Sequence, residues 1–193
     1  MKITPHPVEF DLLASDLVRH PGLHASNIYN SLFEELEPKR FVKGSKLDPV
    51  RMALGTAWEK HFEHLLIKSG AEAHRPDEFR SPEGITYSPD LLLTHKGELC
   101  LGELKLTWQS SREAPRKKND PFPPKFDKYL CQMMLYMHWM DLTLGWLCAY
   151  FVNGAYTNFS PELLSWYVEF SRRELVENYD RLMRHAKTTK LIE

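Results

Sequence analysis

The chain has 193 residues, a net charge of −1, 42% hydrophobic residues and 26% charged residues, the composition of a globular protein with room for one domain and a real core. A protein that coats nucleic acid without specificity is usually basic overall, but net charge by itself decides nothing here; its distribution matters more. A near-neutral total is compatible with a basic groove set beside an acidic metal site. No apolar run approaches the roughly 20 residues that a membrane-spanning helix needs, and Met1 to Pro7 lacks the apolar core of a signal peptide. Cys100, Cys131 and Cys148 are widely spaced inside apolar segments, which suits buried thiols in a reducing compartment. The expected location is the cytoplasm, with no membrane partner.

In chain order, the pattern predicts a short helix over residues 8–18 and a second from Ser26 to Leu36, stopped by Pro38. Asp48-Pro49 reads as an N-cap with proline at the first helical position. The helix it opens carries Leu54, Trp58, Phe62, Leu65 and Leu66 on one face and ends at Gly70. Gly84 to Thr94 and Glu98 to Thr107 form two apolar runs around a Lys96-Gly97 hairpin turn. Residues 109–125 are polar and proline-rich, hence a long loop, of the kind that usually carries function or is disordered. A helix follows from Phe126 to Met140 with its stripe at Phe126, Leu130, Met133, Met137 and Met140. Residues 145–152 (GWLCAYFV) read as a buried strand turning at Asn153-Gly154. Ser160-Pro161-Glu162 then reads as the start of a last helix over about 161–186. No linker or repeat divides the chain, so residues 1–193 are read as one domain of α/β class: a small mixed β-sheet with a central hairpin, flanked by helices.

The hairpin carries the chemical signal. A two-residue turn sets His95 against Glu98, and counting outward brings Asp90 opposite Glu103 and Ser88 opposite Lys105. Alternation along a strand puts Asp90, Glu103 and Lys105 on one face. Opposed carboxylates repel, a cost removed by a cation between them or by a proton on one of them. Oxygen ligands of this kind suit magnesium. Ser88-Pro89-Asp90 as a plain turn, with Glu103 and Lys105 as exposed strand charges, is the other reading of an isolated D…ExK, and a three-residue turn would shift every pair. On the preceding helix Gly55, Glu59 and Glu63 share a face, and the glycine suggests close approach by another group. Lys128, Gln132 and Tyr136 share another face on the later helix, distinct from the apolar stripe and directed to a cleft.

The order Gly55-x-x-x-Glu59, Pro89-Asp90, Glu103-Leu104-Lys105, then Gln132-x-x-x-Tyr136 resembles the PD-(D/E)xK nuclease superfamily, in the branch of RecB-type nuclease domains and lambda-type phage exonucleases. Ser26 to Tyr29 and Glu37 to Phe41 are similar to that branch's N-terminal helix, so the resemblance spans about residues 24–150. Glu59 stands where many RecB-type domains have a histidine. Glu37 stands where CRISPR-associated relatives have an iron–sulfur cysteine, and no iron–sulfur cluster is expected. The resemblance implies a restriction-endonuclease-like core and a deoxyribonuclease acting on DNA ends. Magnesium, or manganese in its place, would be held by Asp90, Glu103, the Leu104 carbonyl and Glu59. Lys105 would position water or stabilise the phosphate, and Gln132 and Tyr136 would contact the backbone or orient Lys105. Two basic segments would grip DNA, Lys39, Arg40 and Lys43 in one and Arg112, Arg116, Lys117, Lys118 and Lys128 in the other; a solvated loop is the alternative for the second. A structure-specific endonuclease and a catalytically silent DNA-binding module are the rival functions. Lambda-type relatives suggest phage or prophage recombination or repair beside a single-strand annealing protein.

Overall fold

A computed structural model describes residues 21–38, 49–157 and 160–192 of the chain. The helix expected over 8–18, the Asp48 cap, and the basic residues Lys39, Arg40 and Lys43 lie outside the described residues.

Helix α1 (Ala25–Leu36) forms because its apolar positions recur at helical spacing. Ala25, Ile28, Tyr29, Leu32 and Phe33 are all buried on one side. The Asn27 Oδ1 accepts from the His24 N–H at 3.0 Å at its start. Helix α2 (Pro49–Lys68) ends in a Schellman turn. The Ala71 N–H reaches back to the Leu66 carbonyl at 3.1 Å and the Gly70 N–H to that of Ile67 at 3.0 Å, with Gly70 at φ +88°. The five-residue apolar face expected on α2 is narrower in the structure. Trp58, Phe62 and Leu66 pack on the sheet, whereas Leu54 and Leu65 are 47% and 43% exposed. A single helix covering that face contacts it along one i, i+4 row, and residues off the row fall outside.

The main sheet has five strands in the order β1-β4-β5-β6-β7. These are β1 (Ala73–His74), β4 (Leu91–His95), β5 (Glu98–Thr107), β6 (Leu144–Phe151) and β7 (Glu162–Glu169). A separate antiparallel pair joins β2 (Phe79–Arg80) to β3 (Thr86–Tyr87). Strands β4 and β5 form the expected hairpin with His95 opposite Glu98. Lys96 and Gly97 take φ +52° and +84°, the paired left-handed conformations of a two-residue turn that follows the strand twist. The run from Gly84 to Thr94 is not one strand. Pro89 has no N–H to give, and the chain breaks at Ser88-Pro89-Asp90, so the ladder ends at Leu91–Gly102. Ser88 therefore does not pair with Lys105; its hydroxyl donates to Glu78 Oε1 at 3.1 Å.

Helix α3 (Asp127–Trp139), entered through a 3-10 turn at Pro124–Phe126, carries the chain back so that β6 lies parallel to β5. Strand β6 is buried on both faces, which explains its nearly continuous apolar sequence. The segment after Ser160 corrects the sequence reading. Residues 162–169 form strand β7, antiparallel to β6, and the last helix is α4 (Arg172–Thr188). Leu164, Trp166 and Val168 turn inward while Leu163 and Tyr167 face out, a period of two that no helix supports. The true capping box lies further on, where the Ser171 hydroxyl accepts from the Glu174 N–H and the Glu174 carboxylate accepts from the Ser171 N–H.

Helices α1, α3 and α4 share the larger core with one face of the sheet; Trp58, Phe62 and Leu66 of α2 cover part of the other. Cys100 and Cys148 lie in the α2-side cluster and Cys131 in the larger one, all three buried with their thiol pKa values pushed up by burial. Among the described residues no helix is long and apolar enough to cross a membrane.

Candidate active site

The register of the hairpin brings the D…ExK residues together. Asp90 lies just before β4, and its Oδ2 accepts from the Leu104 N–H at 2.9 Å. The N–H and C=O of one residue leave an antiparallel strand on the same edge. The Leu104 carbonyl is therefore directed to the Asp90 side, where β4 has ended. The Lys105 ammonium lies 3.4 Å from Asp90 Oδ2 and in ion-pair contact with Glu103 Oε1.

Glu103 is the most unusual group of the three. It is 0% exposed; its Oε1 is engaged by the Lys105 ammonium, and its Oε2 has no hydrogen-bond partner. Burial, reinforced by the Asp90 charge, pushes the Glu103 carboxyl up to about 8 against the opposing effect of Lys105. Burial also opposes the charge on Lys105, but Asp90 and Glu103 outweigh it and hold its pKa well above the usual value. A buried carboxylate with one unpartnered oxygen beside a second carboxylate is a donor set that fits a hard divalent cation.

Glu59 is brought to the same cluster by α2. Its pKa is raised, by burial first and by the Asp90 charge second, with Lys105 and Arg75 opposing. Yet its Oε2 is taken by the Arg75 guanidinium at 2.8 Å. Among the described residues, no three histidine, cysteine or carboxylate side chains converge as a complete metal cage. The two hairpin carboxylates form the centre, with Glu59 turned to Arg75. Gly55, one turn before, does not mark a close approach: a Cβ there would meet nothing within 4 Å.

Tyr136 on α3 is buried close enough to feel both Glu103 and Asp90. Gln132 is buried one turn earlier on the same helix, without a polar contact to the carboxylates. Their face is directed into the protein, not to an open cleft. Three neighbours had not been singled out as site residues. Tyr29 of α1 shares a hydrogen bond with Tyr136, and burial pushes its hydroxyl pKa up. The Tyr129 ring lies 5.7 Å from the Lys105 ammonium. Arg75 completes the charge pattern. Tyr29 sits in the buried row of α1 and Tyr129 beside the apolar stripe of α3, so both read as core. Arg75 carries no local signal.

Of the basic residues in the second segment, Arg116 makes a bidentate pair with Glu162 at 2.6 and 2.9 Å, and Arg112 donates to the Ala155 carbonyl at 3.3 Å. Lys117 and Lys118 are exposed on the loop. Lys128 lies 5.8 Å from the Tyr29 ring and, through burial first and Lys105 second, has a lowered pKa. With Lys125, Gln109, Glu37, Phe33, Pro124 and Tyr129 it lines a groove of about 220 Å³ beside the site. The loop is anchored by its own contacts, including the Trp166 indole to the Pro115 carbonyl at 3.0 Å.

The architecture is thus a mixed five-stranded α/β sheet flanked by helices on both faces. Solved structures bear out that fold at low sequence identity. The chain is similar to an alkaline exonuclease (LHK-Exo) from Laribacter hongkongensis, with a TM-score of 0.53, 15% identity and coverage of 88% of each chain. The same enzyme in complex with dAMP gives a TM-score of 0.50 and 15% identity over 87% of this chain and 89% of that one. A phage related exonuclease from Haemophilus somnus 129PT gives a TM-score of 0.52 and 12% identity over 88% and 93%. No protein-family model and no curated protein matches the sequence.

Proposed function

We propose that the chain is a magnesium-dependent deoxyribonuclease that works as an exonuclease on DNA ends. The observation that carries this reading is the fully buried Glu103, one oxygen unpartnered, beside Asp90, with Lys105 against both. Asp90, Glu103 and the Leu104 carbonyl would hold the ion, with Glu59 as a further ligand; manganese would substitute. When bound, the ion lowers the pKa of a water and neutralises charge building on the phosphate.

The chain's own residues do the rest. Asp90 and Glu103 keep the Lys105 ammonium charged and fixed, so that it stabilises the phosphate or positions the attacking water. Tyr29, Tyr129 and Tyr136 wall this corner and limit water around it. Tyr136 and Gln132 orient the Lys105 side of the site. Lys39, Arg40, Lys43, Arg112, Lys117, Lys118 and Lys128 supply phosphate contacts without base specificity; Arg116, tied to Glu162, contributes to loop order before DNA. Likeness to exonucleases, one of them phage related, supports action at DNA ends; a place in recombination or repair beside a single-strand annealing protein is what the sequence resemblance implies.

The test is degradation of end-labelled linear DNA beside covalently closed circles, with magnesium or EDTA, for wild type and Asp90→Ala. Magnesium-dependent loss of the linear form alone, absent in the variant, is the expected result. Cutting of circles would overturn the exonuclease reading, and activity retained in Asp90→Ala would overturn the site.

A further inference from the structure

Arg75 follows the edge strand β1 and holds on to two glutamates one turn apart on α2. Its main-chain N–H donates to Glu63 Oε1 at 2.7 Å, and its guanidinium donates to Glu59 Oε2 at 2.8 Å. The first contact ties strand to helix and involves no side chain of Arg75. The second is therefore dispensable for that tie. The Arg75 side chain is 34% exposed and that of Glu59 19%, so the guanidinium has a way out to solvent.

Electrostatics gives the pair a further meaning. Glu59 lies near enough to Asp90 and Lys105 to feel both charges, while its hydrogen bond to Arg75 holds its Oε2. A carboxylate oxygen engaged by a guanidinium at hydrogen-bond distance cannot turn fully to a metal ion. Arginine suits a temporary partner of this kind, because its planar, weakly hydrated head exchanges a carboxylate for a phosphate without change of charge.

We propose that Arg75 is a displaceable counter-ion of Glu59 that competes with the divalent cation for this carboxylate. The inference rests on the metal-site reading above. Cation binding expels the guanidinium from Glu59 toward solvent.

The test is calorimetric titration of the DNA-free protein with Mn²⁺, for wild type, Arg75→Gln, Arg75→Lys, Glu59→Gln, the Glu59→Gln/Arg75→Gln double variant, and Asp90→Ala. Removing a competitor held by a partly exposed ion pair tightens Mn²⁺ binding by roughly threefold to tenfold in Arg75→Gln. Arg75→Lys, which keeps the charge and loses the fork, falls between. In the Glu59→Gln background the Arg75 substitution changes nothing. Equal or weaker Mn²⁺ binding in Arg75→Gln would overturn the counter-ion role, as would an undiminished Arg75 effect in the Glu59→Gln background. Mn²⁺ binding that survives Asp90→Ala unchanged would instead overturn the hairpin metal site, and no binding to wild type would overturn both.

Discussion

Gly102 is the position where a single methyl group tests the architecture of the site most sharply. It lies directly opposite Leu91, the residue after Asp90. A Cβ built there would sit 2.8 Å from Leu91 Cβ and 3.2 Å from both Leu91 Cδ2 and Leu93 Cδ2. The nearest of these atoms is fixed to the backbone, so no rotamer change relieves the clash and β4 must move away from β5. Overpacking of this sort costs about 1–3 kcal/mol, which for a chain of this size lowers Tm by roughly 2–12 °C. Asp90 moves with Leu91, away from the Leu104 N–H and from Glu103, so Mn²⁺ affinity falls as well. Gly55→Ala is the matched control: its methyl meets nothing within 4 Å inside α2, and the helix gains about 1 kcal/mol. Thermal unfolding followed by Mn²⁺ titration of both variants is the assay. A Gly102→Ala protein with wild-type Tm and wild-type affinity would refute the claim that this close approach sets the spacing of the carboxylates.

Other consequences are open to direct measurement. Lys105→Ala abolishes turnover while largely preserving Mn²⁺ binding, and near-wild-type cleavage would remove Lys105 from the chemistry. The hydrogen bonds from Arg116, then Ser111, hold Glu162 down at about 2. A carboxyl with a depressed folded pKa stabilises above its unfolded value, near 4.5, and loses that contribution as pH falls toward 2. Acid unfolding of wild type and Glu162→Gln therefore converges over that window; parallel curves would show the pair contributes nothing. Replacing Lys117 and Lys118 together by alanine lowers the slope of log affinity against log salt by roughly 2 for duplex DNA. An unchanged slope would assign both lysines to a solvated loop.

Much of this arrangement was legible in the sequence wherever local chemistry decides it. Lys96-Gly97 fixes a turn type, the turn fixes register, and register alone brings Asp90 to Glu103. Gly70 and Pro38 end their helices for equally local reasons. Strand β7 was misread because Ser160-Pro161-Glu162 imitates a helix start, while the alternation of Leu164, Trp166 and Val168 against Leu163 and Tyr167 carries the information that decides. Gly55 was misread because a glycine's absent side chain has several causes, and only the surroundings distinguish them. Tyr29, Arg75 and Tyr129 join the site through α1, β1 and α3, whose docking no local pattern encodes. Lys128 and Tyr136 were given a correct helix but an outward face, because α1 covers it.

The sheet has a consequence for how the molecule forms. Its two long antiparallel pairings, β4 with β5 and β6 with β7, are sequential neighbours, and the first closes over only two residues. Hairpins of that kind zip within about 1–10 μs. The parallel pairing of β5 with β6 must wait for the intervening loop and α3 to be laid down, a closure whose entropy is spent before any contact repays it. The carboxylate-bearing ribbon is thus the cheap closure of the sheet, and the parallel join of β5 to β6 through α3 the costly one.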